Sequence, residues 1–208
     1  MKLSHLGIFG LISLLSYAAM VIFSPFAYPG YDWMSMPVSE LSAVGAPSKE
    51  LAVQLNSLFG PCAIVSVMAV CVIVKNINSK VLRIGVYLFA VMEWLCTVGY
   101  GCFPWISDAE AFSFQNMMHI AVTAFVVILS IASLILIFLG AGKSNIKSLG
   151  IWALVCLLAM FAGAIGTNVF PKSVFGVFER ISTFSVVVFN AVLGWYLFIG
   201  KFSYEKEE

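Results

Sequence analysis

Six stretches of this chain are long and apolar enough to cross a bilayer, at about residues 6–26, 52–74, 82–102, 114–139, 148–169 and 178–200. A spanning helix needs about 20 consecutive apolar residues. Within lipid every backbone N–H and C=O must be satisfied inside its own segment, so each run is expected to be a helix. Charged residues make up 10% of the 208, against roughly 25% in a soluble domain, too few to cover a water-facing surface. The expected fold is therefore all-α: one transmembrane domain over residues 1–208, six helices built as three hairpins in series.

The basic residues give an orientation. Lys2, then Lys75, Lys80 and Arg83, then Lys143 and Lys147, then Lys201 and Lys206 fall on one side of a six-span chain, eight of its eleven Lys and Arg. Lys49, Lys172 and Arg180 are the exceptions. Short loops rich in Lys and Arg stay cytoplasmic, so both termini are expected there, in a multi-pass protein of the cell membrane. An odd number of spans would destroy this asymmetry. The first apolar run is too long for a signal peptide and no A-x-A cleavage site follows it, so it reads as a helix that also signals insertion. A net charge of +1 gives no argument for nucleic acid. Cys62, Cys71, Cys96, Cys102 and Cys156 form no C-x-x-C and read as small buried hydrophobes.

The connections on the cytoplasmic side are plain, and those on the outer side are rich. The first outer connection, 27–51, carries Pro29-Gly30-Tyr31-Asp32-Trp33 and then Met36-Pro37-Val38-Ser39-Glu40-Leu41-Ser42. A short interfacial or re-entrant helix is expected over Val38–Val44, stopped by Gly45-Ala46-Pro47. Asp32, Glu40, Glu50, Asp108, Glu110 and Glu179 collect at outer ends, although acidic residues contribute little to topology. The third helix ends Gly99-Tyr-Gly-Cys-Phe103-Pro104 and the fifth Gly166-Thr-Asn-Val-Phe170-Pro171, a repeated G-x-x-x-F-P at the outer exit.

A few polar side chains stand against this apolar background. Glu93 lies mid-helix, where a charge costs roughly 2.5–3.5 kcal/mol by insertion scales. It must face the bundle, pair, or be protonated, serving either as a proton or substrate contact or as packing glue. His119 shares a helix face with Gln115, Asn116 and Thr123, and imidazole is the natural acid, base or metal ligand near neutral pH. Its bland reading is an interhelical hydrogen bond. Asp108 sits in the connection after Phe103-Pro104, where a solvated carboxylate is the simpler reading. Glu179 suits the dipole at a helix start. Arg180 does not, so it pairs with an outer carboxylate such as Glu40 or Asp108, clamps an anionic headgroup, or snorkels. Asn190 continues the Glu179 face or locks two helices. Ser39 is a nucleophile only if a base approaches it, and Asn56 reads more simply as a clasp.

Val38-Ser39-Glu40-Leu41-Ser42-Ala43-Val44-Gly45 with Pro47, Asn56 and Gly60, then Gly99 with Phe103-Pro104, Asp108 and His119, and finally Gly176 with Glu179-Arg180 resemble the domain-of-unknown-function 998 family of bacterial and archaeal membrane proteins. The resemblance implies a six-helix integral membrane protein and brings no reaction with it. The favoured functional expectation is an outward-facing polar pocket for a lipid or small ligand. Ser39, Glu40, Asn56, Glu93 and Arg180 are its binding candidates, and His119, Asp108 and Glu179 are the catalytic candidates if chemistry occurs. A lipid hydrolase or transferase, a proton-coupled transporter and a non-catalytic scaffold or sensor stay open as alternatives. The bilayer is the one partner implied. Cofactor, metal and oligomeric state are undetermined, and the two histidines, His5 and His119, are expected on opposite sides.

Overall fold

The computed structural model describes residues 2–107, 110, 112–142, 144 and 146–202. Among these, regular structure is helical apart from one isolated parallel bridge between Val44 and Ile106. The α-helices are α1 (Ile8–Phe23), α2 (Lys49–Leu55), α3 (Phe59–Val74), α4 (Lys80–Cys102), α5 (Phe114–Gly142), α6 (Lys147–Val169) and α7 (Phe175–Phe198). With their flanking 3-10 turns they make six segments long and apolar enough to span a membrane: Leu3–Ala27, Lys49–Val74, Lys80–Cys102, Phe114–Gly142, Lys147–Val169 and Lys172–Phe198.

The second segment is interrupted between α2 and α3, and Pro61 explains the break. Proline has no N–H to donate to the carbonyl four residues back, and its ring crowds that carbonyl. The chain turns at 56–58 and restarts, with the Phe59 amide donating to the Asn56 carbonyl at 3.0 Å.

Each spanning helix packs on the next in the chain, and α7 closes the ring against α1 and α3. The core inside it is apolar, built around Phe89, Phe189, Leu134, Ile137, Leu149 and Leu193. Ile128, Ile151, Val155 and Leu158 point outward and are exposed, as lipid-facing side chains must be. One end of the bundle, here the plain end, carries both described chain termini and the short turns after α3 and α5. The other, the capped end, carries the connections 28–48 and 170–174 and the described residues between α4 and α5. Beneath the cap Tyr17, Met20, Val38, Leu41, Ala52 and Val187 form a second, smaller cluster.

The repeated G-x-x-x-F-P has a physical basis. At the end of α4 the Phe103 amide donates to the Gly99 carbonyl at 2.9 Å, and at the end of α6 the Phe170 amide donates to the Gly166 carbonyl at 3.1 Å. The following proline prevents another turn. Each glycine admits a neighbouring side chain that a Cβ would displace, Val122 at Gly99 and the Phe178 ring at Gly166. The expected helix over Val38–Val44 is a 3-10 turn over Val38–Ser42, and Gly45 with φ of 90° reverses the chain after it in a conformation that favours glycine.

Candidate functional site

The polar residues of the capped end fall into two ties, one on each flank of the Val38–Ser42 turn. The first is centred on Arg180, in the second turn of α7. Its Nη1 donates to the carbonyls of Trp33 (2.8 Å), Met36 (3.2 Å) and Gly176 (2.7 Å), and its Nη2 donates to the Tyr31 hydroxyl (2.5 Å). The guanidinium also lies 5.9 Å from the centre of the Tyr31 ring. The Tyr31 hydroxyl in turn donates to the Pro37 carbonyl at 2.9 Å. Burial pushes that hydroxyl up to about 12, against the opposing pull of Arg180, so it stays a donor across the physiological range. Gly176 makes the approach feasible: a Cβ there would come 2.6 Å from the Trp33 carbonyl oxygen. Beside Arg180, Glu179 Oε2 accepts the Val38 amide at 2.8 Å, and the Val177 amide donates to the Met34 carbonyl at 3.2 Å. Asp32 closes the turn below. Its carboxylate accepts the Ser35 hydroxyl at 2.6 Å and the Met34 amide at 3.1 Å, and these bonds, the Ser35 hydroxyl above all, hold its pKa below the usual value.

The second tie hangs the segment 103–107 between Glu40 and the start of α5. Glu40 Oε1 accepts the Trp105 indole N–H at 2.9 Å and Oε2 accepts the Ser107 hydroxyl. The Val44 amide donates to the Trp105 carbonyl at 2.8 Å. Asn116 is fully buried and uses its amide as a second strand would: Oδ1 accepts the Ile106 amide at 3.1 Å and Nδ2 donates to the Ile106 carbonyl at 3.0 Å. Gln115 donates to the Pro104 carbonyl at 3.2 Å.

His119 completes this tie and differs from the rest. Its Nδ1 lies 2.8 Å from the Phe103 carbonyl. A carbonyl can only accept, so Nδ1 carries the proton and Nε2 of the neutral ring is left as an acceptor. The ring is half-buried, with the Tyr100 ring centre at 5.0 Å and that of Trp105 at 5.6 Å. Among the described residues nothing hydrogen-bonds to Nε2. Tyr100 continues inward, donating to Thr123 Oγ1 at 3.1 Å.

The sequence-level candidates are thus distributed unevenly. Glu40 and His119 both contact Trp105, while Glu179 and Arg180 hold the other flank. Every described acceptor of Arg180 is neutral, and both Glu40 oxygens are taken by Trp105 and Ser107, so the Arg180–Glu40 pair is not formed. Asp108 lies outside the described residues. The Ser39 hydroxyl makes no hydrogen bond among the described residues. Asn56 is not a clasp, since its Oδ1 is buried without a partner, and Asn190 locks no helix pair, since both its amide atoms are buried without one. Glu93 is 3% exposed and deep in the bundle. No cluster of three or more metal-ligating side chains occurs among the described residues. Tyr31, Trp105 and Asn116 are not among the sequence-level site candidates, although Asn116 shares the His119 face. For Asn116 a signal existed, since Gln115, Asn116 and His119 crowd the first turns of α5 next to a connection rich in unpaired carbonyls.

Removing the Glu40 carboxylate tests the second tie. Glu40→Ala leaves the Trp105 N–H and Ser107 hydroxyl without acceptors and is expected to cost about 1–3 kcal/mol. The Trp105 indole then becomes more mobile, readable in a background where it is the sole fluorescent tryptophan.

No curated protein and no solved structure matches the chain. One family model does, that of DUF998, described as a protein of unknown function, over residues 11–196. That span runs from α1 into the last turn of α7 and takes in both ties and the repeated helix exits, so the chain belongs to the DUF998 family.

Proposed function

We propose that the capped end faces outward, both termini being cytoplasmic, and that it binds a lipid headgroup or small polar ligand through His119. Basic residues in the short turns of the plain end support the orientation. The three hairpins in series fit the contacts of α4 with α5 and of α6 with α7. The observation that carries the binding reading is the state of the imidazole. Glu40, Glu179, Arg180 and Asn116 are occupied with the cap's own backbone and side chains, whereas His119 presents a fixed tautomer with an unused Nε2 on a ring flanked by Tyr100 and Trp105. An acceptor so placed takes a hydroxyl or N–H from a ligand whose apolar part packs on Trp105 and Tyr100. The same geometry serves a general base, so hydrolysis or transfer on a lipid is the catalytic version of this reading, with water or a substrate hydroxyl as the nucleophile in place of Ser39.

The test is lipid retention. Wild-type chain and His119→Ala are purified in the same mild detergent and their bound lipids compared by native mass spectrometry, with Glu40→Gln as a control for a loosened cap. Loss of a bound species in His119→Ala, but not in Glu40→Gln, is expected. Equal retention in all three forms removes His119 from the binding reading.

A further inference from the structure

Among the described residues five polar side chains hold buried atoms without a hydrogen-bond partner: Ser24 at the capped end of the first segment, and four in the interior of the bundle. Asn56 Oδ1, Ser66 Oγ, Thr97 Oγ1 and both amide atoms of Asn190 are buried without a hydrogen-bond partner. Ser66 is fully buried and Asn190 1% exposed. Hydroxyls elsewhere in the bundle show what is abnormal. A serine or threonine in a helix usually satisfies its hydroxyl on a carbonyl three or four residues back. Thr123, Ser130, Ser133, Thr183 and Ser185 all do so here. Ser66 and Thr97 do not.

These groups are not scattered. Thr97 follows Glu93 by four residues on the same face of α4. A Cβ on Gly60 would come 3.0 Å from Thr97 Oγ1, so Thr97 points at the first turn of α3, just past Asn56. Further in, a Cβ on Gly10 would come 2.9 Å from Ser66 Oγ and 3.0 Å from the Asn190 carbonyl oxygen, which brings α1, α3 and α7 together there. The Phe89 and Phe189 rings, edge to face at 5.4 Å, sit one turn before Glu93 and next to Asn190. Toward the plain end the core is sealed by Leu82, Val86, Leu134, Ile137, Leu149 and Leu197, all fully or almost fully buried.

Glu93 therefore lies on a line of polar groups that leads outward along α4 through Thr97 and Tyr100 to the cap, while Ser66 and Asn190 lie further toward the plain end, inside the apolar seal. The titratable groups that face this line are Cys96 on α4 itself, Tyr17 from α1, Glu179 from α7 and His119 from α5. Neither Lys nor Arg is among them, so no cation balances a carboxylate at Glu93. A buried polar group left unpaired bears its whole desolvation penalty, and buried sites lined by several such groups hold ordered water.

We propose that water occupies the positions beside Asn56, Thr97, Ser66 and Asn190, and that Glu93 is a proton-binding site exchanging its proton with the capped end only. The site is closed to the plain end, so it loads and unloads a proton from one side. This inference does not depend on a ligand at His119.

Infrared spectroscopy of the full chain in lipid nanodiscs tests it. A carbonyl stretch of a protonated carboxylic acid is expected in the wild type at neutral pH, absent in Glu93→Gln and displaced in Glu93→Asp, so the assignment survives failure of either variant to fold. On transfer to heavy water the band is expected to shift at a rate that rapid mixing resolves. Thr97→Val is expected to slow that shift by roughly tenfold, the equivalent of one lost hydrogen bond to water. Absence of the band, or a band that heavy water leaves unmoved, overturns the proposal. An unaltered rate in Thr97→Val overturns the route along α4. Thermal unfolding of Asn190→Leu separates the wet core from a dry one: the variant is less stable than wild type if water bonds the amide and more stable if the amide is dry and unpaired.

Discussion

Arg180→Ala is expected to release the cap. One guanidinium holds three carbonyls and a phenol oxygen that come from two stretches of chain about 145 residues apart in sequence. Hydrogen bonds to a charged donor contribute about 1.5–3 kcal/mol each, and the effects of neighbouring bonds do not add fully. A loss of about 3 kcal/mol or more is therefore expected, read as a lower unfolding temperature in detergent. Limited proteolysis should report the same event locally, with new cleavage within residues 28–48 while the spanning segments stay protected. Arg180→Lys is expected to recover only part of the loss. Lysine keeps the charge but lacks the planar fork that reaches several acceptors at once. Tyr31→Phe removes one acceptor of Arg180 and the donor to Pro37, and its expected cost is smaller, about 1 kcal/mol. If Arg180→Ala unfolds at the wild-type temperature and shows no new cleavage, the cap is held by its apolar underside of Val38 and Leu41 instead.

The tie is instructive about what a sequence can reveal. The six spans were legible because hydropathy is a local property: each run carries its own evidence. The position of Arg180 at a helix start was legible too, and so was its misfit with the helix dipole. Its partners were not. Three are backbone carbonyls, which every residue possesses, so no residue type marks Trp33, Met36 or Gly176 as acceptors. Among the described residues the carboxylates near Arg180 are used elsewhere. Glu40 takes the Trp105 N–H across 65 residues, and Glu179 takes the backbone amide of Val38. Asn116 shows the same limit from the other side, since its amide completes the hydrogen bonding of Ile106, a role visible only once the chain is folded back by Phe103-Pro104. The G-x-x-x-F-P exits were readable as a repeat, but the reason for their glycines needed Val122 and Phe178 in place. His119 was singled out for its chemistry. That it donates from Nδ1 and keeps Nε2 free depends on the Phe103 carbonyl, which sequence spacing does not position.

The closure of the helix ring supplies the second large effect. In a bilayer, apolar surface gains little by leaving lipid for protein, so helices associate through close packing and small residues at the contacts. The contact of α1 with α7 depends on this. A Cβ added to Gly194 would overlap the Gly7 carbonyl oxygen, and would come 2.6 Å from Ser66 Oγ and 3.2 Å from the Gly10 Cα. Two of these three obstacles are backbone atoms, which cannot swing aside, so the helices themselves must separate. Gly194→Val is expected to destabilise the chain by about 3 kcal/mol or more, at the upper end of overpacking, and Gly194→Ala by less in the same direction. Gly101→Ala is the matched control: no atom lies within 4 Å of its added Cβ, and alanine is favoured over glycine in a helix by roughly 0.5–1 kcal/mol, so this variant should be as stable as wild type or slightly more so. Cysteine cross-linking between the first turn of α1 and the last turn of α7 measures the separation directly, and should lose efficiency in Gly194→Val while cross-links between α4 and α5 persist. If both pairs weaken together, the variant has unfolded globally, and if neither weakens while stability is unchanged, Gly7 and Gly194 do not close the ring.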